Sequence, residues 1–300
     1  MLNNIELAGV WTAIVTPFNE NMEIDFPAFE TLVRKQLDTG VKGLVIAGTT
    51  GESPTLLEQE KLNLIKKAKK ISAGKLRIMA GAGSNSTIKT IDFAKLCEEA
   101  GADSLLIVTP PYNKPSIAGL ENHFRLVSEN VKTPICLYHV PGRTGQTLSA
   151  EDLYRLSKIN GIEAIKEASG DLALFSKTVA LCGERLAILS GDDPTFLASL
   201  GAGGHGVISV LTNLLPKPFV NLIKLIDKGD RQAAVQVNRC LLPLIECLFI
   251  ESNPSPVKSA LNFLGLCQNT LRNPLLPCNE GNVLKIVDRY KETVEKLEKT

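Results

Sequence analysis

The sequence has almost no net charge: 33 lysines and arginines stand against 32 aspartates and glutamates over 300 residues, leaving +1. A surface built to hold nucleic acid or anionic lipid carries a basic excess, and none is present overall. Long apolar runs are also missing. The greasiest stretch, 241–250, is interrupted by Glu246 and falls well short of the ~18 residues of a membrane span. The amino terminus, Met-Leu-Asn-Asn-Ile-Glu, has neither the basic region nor the apolar core of a signal peptide. No C-x-x-C pair occurs among the seven cysteines, whose odd number and scatter argue against a disulfide framework and a zinc ribbon. These absences point to a cytoplasmic protein with no nucleic-acid or membrane partner.

What is present can build a large core, with 44% hydrophobic against 22% charged residues. Short runs rich in Val, Ile and Leu predict strands at 9–18, 43–48, 77–83, 104–110, 134–140, 163–169, 186–192 and 203–210. Their apolar positions are nearly continuous, as in a parallel sheet covered on both faces. Between them, helical spacing relates Phe29, Leu32, Val33 and Leu37, then Leu62, Ile65 and Ala68, then Ala94, Leu96 and Cys97. Ser86, Ser149 (with Asp152 three residues on) and Asp193 before Pro194 read as helix caps.

Strand starts recur about every 28 residues, the length of a βα unit. Eight units in series predict an α/β fold of the (β/α)8 TIM-barrel type. After Pro216 only helical segments follow, at 217–227, 231–250, 255–264 and 281–299, separated by breakers such as Asn253-Pro254 and Asn273-Pro274. The division expected is a catalytic barrel over 1–230 and a C-terminal helical extension over 231–300.

In such barrels, chemistry sits at the C-terminal ends of the strands. Lys166, flanked by Ala164 and Ala168 on its own face of strand six, is placed to point into the interior. Burial there would lower its pKa and give an amine able to attack a carbonyl as a Schiff-base nucleophile. The other reading is a lysine at a strand end that reaches solvent. Tyr138, on the adjacent strand, can move protons, with Thr49 and Tyr112 linking it to solvent; alternatively it is a core tyrosine with a satisfied hydroxyl. Thr49-Thr50-Gly51 offers N–H groups and hydroxyls to a small carboxylate. Arg143, between Pro141 and Gly145, is a fork-shaped donor for a second carboxylate, or a surface ion pair.

Other signals carry less. Gly201 to Gly206 matches G-x-G-x-x-G but leads into a strand instead of opening a helix, so it is no dinucleotide fingerprint. His123, His139 and His205 lack metal-ligand spacing, and His123 reads as a helix-surface residue. Asp192 and Asp193 read as caps of the next helix instead of metal ligands.

Gly48-Thr49-Thr50-Gly51-Glu52, Tyr138-x-x-Pro141 and Lys166 together resemble the pyruvate-dependent class I aldolases, the superfamily that includes N-acetylneuraminate lyase. Arg143 in Pro-Gly-Arg-Thr-Gly makes the chain look more closely like the dihydrodipicolinate synthase family, over essentially its whole length. That resemblance implies an imine between Lys166 and pyruvate, with Thr50 on the pyruvate carboxylate and Gly191 and Ile208 lining the pocket. Tyr138 would be the acid/base, in a relay with Thr49 and with a Tyr112 lent by a neighbouring subunit. Arg143 would take the carboxylate of L-aspartate 4-semialdehyde, the second substrate. The implied reaction belongs to lysine and diaminopimelate biosynthesis. A homotetramer is implied, and no metal or organic cofactor. The alternatives are a lyase or aldolase for a sugar-derived 2-keto acid, and a non-catalytic barrel serving as a binding module.

One departure from the family concerns feedback by lysine at a subunit interface. Ser53 and Asn85 are kept, but Lys89 replaces a glutamate, Pro111 an aromatic, and Glu58 and Lys61 imidazoles. An ammonium placed where the ligand's own ammonium would sit predicts weak or absent feedback.

Overall fold

A computed structural model describes residues 6–299; residues 1–5, most of the segment read above for a targeting signal, lie outside the described residues. Eight strands form one closed parallel barrel: β1 Gly9–Ala13, β2 Gly43–Ile46, β3 Arg77–Gly81, β4 Ser104–Val108, β5 Ile135–His139, β6 Ile162–Glu167, β7 Ala187–Ser190 and β8 Gly206–Ser209. Each pairs with the next, and β8 returns to β1 with Val207 beside Val10. Between them run α1 Phe26–Gln36, α2 Glu58–Ser72, α3 Thr87–Glu99, α4 Ile117–Asn130, the single turn α5 Pro141–Thr144, α6 Ala150–Ser157, α7 Leu172–Cys182 and α8 Phe196–Gly201. Helix α9, Pro216–Asp227, follows β8, and α10 Arg231–Cys247, α11 Ser255–Phe263 and α12 Glu280–Glu298 extend beyond it. No helix among the described residues is long and apolar enough to cross a membrane.

Every strand is shorter than its apolar run at the C-terminal end. The run 9–18 leaves the ladder after Ala13, for example, yet Ile14, Val15 and Phe18 stay buried. Just past this ladder the chain stays covered, so its residues are as apolar as the strand. Hydrophobicity therefore does not mark where backbone pairing stops.

Two apolar layers fill the molecule. One lies inside the barrel and includes Trp11, Val45, Met79, Leu106, Cys136, Ala164, Leu189 and Ile208. The other joins the outer strand faces to the helices and runs on into the extension through Leu241, Leu244 and Leu261. Each such buried aliphatic side chain contributes about 1.5–3 kcal/mol of transfer free energy. The predicted helix faces are buried except at Leu37, half-buried just past the end of α1, and at Leu96, which lies outward between Ala94 and Cys97, because neighbours two apart do not share a helix face.

Ser149 and Asp152 form the reciprocal capping box at α6. Asp193 does not cap the helix after it. Its Oδ2 accepts the N–H groups of Val210 and Leu211 beyond β8, while Asp192 bonds Thr195. His123 is a correction of the same kind. It lies on the inner face of α4 with Leu120, Phe124 and Val127, and its Nδ1 is 2.9 Å from Thr87 Oγ1. Burial pushes its pKa down to about 4.

Candidate active site

Strand register sets the centre of the site. Tyr138 and Lys166 stand side by side on β5 and β6, both pointing inward, and Lys166 Nζ lies 4.2 Å from the centre of the Tyr138 ring. The residues one step along, His139 and Glu167, point the opposite way by the two-residue period of a strand. They are buried and paired, His139 Nδ1 lying 3.2 Å from Glu167 Oε1. His139 Nε2 accepts the N–H of Leu148, so Nδ1 carries the proton that Glu167 receives. This outer pair locks the register that puts Tyr138 against Lys166.

Lys166 is 6% exposed and lines a cavity of about 400 Å³ at the C-terminal mouth of the barrel. No ion pair among the described residues reaches it. Thr49, Thr50, Tyr138, Arg143, Gly191 and Ile208 line the same cavity. Gly191 must lack a side chain: a Cβ there would stand 2.7 Å from Lys166 Cε and 2.5 Å from Ala168 Cβ. Below the lysine, the buried Cys136 thiol is pushed up to about 12 by desolvation and stays neutral.

Thr49 and Thr50 sit in a tight turn after β2. The Gly51 and Glu52 N–H groups are spent on Gly48 and Thr49 oxygens, so the anion-binding capacity of this segment rests on the threonines. Arg143 lies on the helical turn α5 instead of an open loop. Pro141 starts that turn, Gly145 ends it at φ +71°, and Arg143 Nη2 donates to the Asn253 carbonyl at 3.3 Å. Tyr112 is placed differently. It is 90% exposed at φ +74° and lines neither this cavity nor its neighbour, so the relay is not closed within one chain.

The neighbouring cavity, about 580 Å³, shares Thr49, Tyr138, Val140 and Arg143 with the first. Ser53, Lys61, Asn85 and Pro111 line it, whereas Glu58 and Lys89 do not. Desolvation lowers the pKa of Lys61. Among the described residues, no group of three or more His, Cys, Asp or Glu side chains is arranged to hold a metal ion.

The family model for the dihydrodipicolinate synthetase family matches residues 6–293. The chain belongs to that family. A 4-hydroxy-tetrahydrodipicolinate synthase of Thermotoga neapolitana is 44% identical over 279 residues, covering 92% of this chain and 95% of that one. Among solved structures, the dihydrodipicolinate synthase of Thermotoga maritima superposes with a TM-score of 0.93 at 42% identity, covering 96% of this chain and 98% of that one. The chloride-inhibited Acinetobacter baumannii dihydrodipicolinate synthase, solved with pyruvate, gives 0.93 at 36% identity over 96% and 99%.

In this dihydrodipicolinate synthetase family member, the groups that hold the site from outside the eight repeats carry no motif in the sequence. Asn253 Nδ2 donates to Thr50 Oγ1 at 3.0 Å. Lys258 pairs with Glu52 out of solvent, and Arg272 N–H donates to the other Glu52 oxygen at 3.0 Å. Asn253 had been legible only as a helix breaker before proline, and Glu52 only as the end of a motif. The sign available in the sequence was Lys258 itself, a lone cation in the otherwise uncharged stretch 252–271.

Proposed function

We propose that this chain condenses pyruvate with L-aspartate 4-semialdehyde to give 4-hydroxy-tetrahydrodipicolinate and water. The observation that carries the reading is Lys166: a nearly sequestered amine, free of any ion pair among the described residues, against Tyr138 in a cavity that also holds Thr50 and Gly191.

Lys166 Nζ attacks the ketone carbon of pyruvate, and loss of water from the carbinolamine leaves an imine. Tyr138 donates the proton that departs with the hydroxyl and takes one back as the adjacent methyl carbon is deprotonated to an enamine. Thr50 holds the pyruvate carboxylate throughout. The enamine carbon then bonds to the aldehyde carbon of the second substrate, whose carboxylate meets Arg143. The amino group of that substrate displaces Lys166 from the imine carbon, closing the ring and regenerating the enzyme.

In this reading Tyr112 reaches the cavity of a neighbouring copy, completing the Thr49–Tyr138 relay, and the enzyme works as a homotetramer made of two dimers. The exposure of Tyr112 leaves it available for such a contact, and tyrosine is among the residues enriched at protein–protein interfaces. The free cysteines, mostly buried, fit a reducing cytoplasm. Neither a metal nor an organic cofactor is required.

The test is substrate choice. Purified protein supplied with pyruvate should consume L-aspartate 4-semialdehyde and leave N-acetylneuraminate and 2-keto-3-deoxygluconate intact. Cleavage of either sugar acid with no use of the semialdehyde would replace this reading with a sugar-acid lyase.

A further inference from the structure

Asn253 lies between α10 and α11, outside the eight repeats, yet it contacts both groups assigned above to substrate carboxylates. Its side-chain Nδ2 donates to Thr50 Oγ1, and its main-chain oxygen accepts from Arg143 Nη2. The residue is 8% exposed and lines the Lys166 cavity.

The direction of the first bond decides what Thr50 can do. A hydroxyl has one proton and two lone pairs, and a carboxylate has only acceptors. Because Asn253 supplies the N–H, Thr50 accepts there and keeps its own proton for a second partner. With the opposite polarity that proton would be spent on the protein, and two acceptors would face each other across the cavity.

The surroundings hold this arrangement in place. Two residues after Thr50, Glu52 adopts φ +56°, a left-handed backbone that a non-glycine residue keeps only when its surroundings impose it. Its carboxylate is fixed by Lys258, five residues after Asn253. The same two segments are therefore clamped twice, at Thr50–Asn253 and at Glu52–Lys258, and the clamped turn carries the Thr50 hydroxyl.

We propose that Asn253 is a positioning residue for the 2-oxo acid, setting the Thr50 hydroxyl as donor to its carboxylate and steadying Arg143 beside it. This inference rests on the reading of Lys166 and Thr50 given above. It makes the extension part of the active site, through a side chain that acts by way of another residue.

The test uses the full-length chain and the pyruvate concentration that half-saturates borohydride trapping, read by intact mass. Asn253→Ala should raise that concentration about tenfold, the size of one hydrogen bond to a charged group, with trapping at saturating pyruvate preserved. Asn253→Asp should raise it further, because it removes the donor and adds a like charge. It keeps the side chain's size and carries the test if the alanine variant fails to fold. In a Thr50→Val background, either Asn253 change should add less than about twofold, because the residue through which it acts is gone. An unchanged half-saturation in a folded variant, or the same factor in both backgrounds, overturns the proposal while leaving the Schiff-base reading intact. No adduct in the unaltered protein overturns the Schiff-base reading, and this inference with it.

Discussion

Lys258 Nζ sits 2.5 Å from Glu52 Oε1, and neither side chain reaches solvent. The ammonium also donates to the Thr270 carbonyl, and both Lys258 and Arg272 lie over the face of Phe18. Burial lowers the lysine pKa and the Glu52 charge opposes that shift. An ion pair out of water is costly to break on one side only, because the survivor is left buried and unpaired.

Lys258→Met should therefore lose about 3–5 kcal/mol of stability, and adding Glu52→Gln should restore a large part of it. Urea denaturation of the two variants checks this. Equal losses in the single and double variants would mean that the pair's charge is not the source.

The acid limb of stability has an identifiable contributor in His123. Its native pKa of about 4 lies below the ordinary value of 6.5, so the unfolded chain binds the proton more readily between those values. The stability from keeping this imidazole neutral is present above pH 6.5 and is lost as pH falls towards 4. Between pH 7 and 5 the loss from this group is about 2 kcal/mol. His123→Gln should remove that increment, seen as a smaller drop in unfolding free energy than in the unaltered chain. Asp193 acts in the opposite sense: burial raises it to about 6 from 3.8, so its contribution falls as pH rises through that interval. Because both proteins retain Asp193, their difference isolates the histidine.

Arg143 is assigned to the second substrate, not to imine formation. Arg143→Ala should raise the KM for L-aspartate 4-semialdehyde about tenfold or more, the cost of losing a charge-assisted pair. Pyruvate trapping should change much less. Steady-state kinetics beside trapping separates the two, and equal damage to both would contradict the role.

Lysine feedback is expected to be weak. Lys89, expected as the opposing ammonium, does not line the cavity of Ser53 and Asn85, but Lys61 and Pro111 do, so a second ammonium would enter beside the Lys61 charge. Inhibition assays should show no response at micromolar lysine; potent inhibition there would remove the idea.

The barrel was legible because its physics is local and repeated. Strands covered on both faces read as apolar runs, helices show one buried stripe, and the alternation is regular enough to count eight units. All seven of Lys166, Tyr138, Thr49, Thr50, Arg143, Gly191 and Ile208 line one cavity; Gly191 and Ile208 were reached only through the family resemblance, whereas the other five were legible because each stands at or just beyond a strand end. Asn253 and Lys258 were not. Their partners lie 203 and 206 residues away, a pairing that no local periodicity encodes. His123 was misread because Glu121, Asn122 and Arg125 surround it in sequence, although its helical neighbours Leu120, Phe124 and Val127 are core. Asp193 was misread because an aspartate before proline is also how many helices begin, and its acceptors served the turn after β8 instead.

The most direct test is borohydride reduction of the protein with pyruvate, followed by intact mass and peptide mapping. The expected result is one addition per chain, the mass of pyruvic acid less one oxygen, located on Lys166 and absent from Lys166→Ala. No addition, or one that survives in Lys166→Ala, would contradict the assignment of Lys166 as the nucleophile.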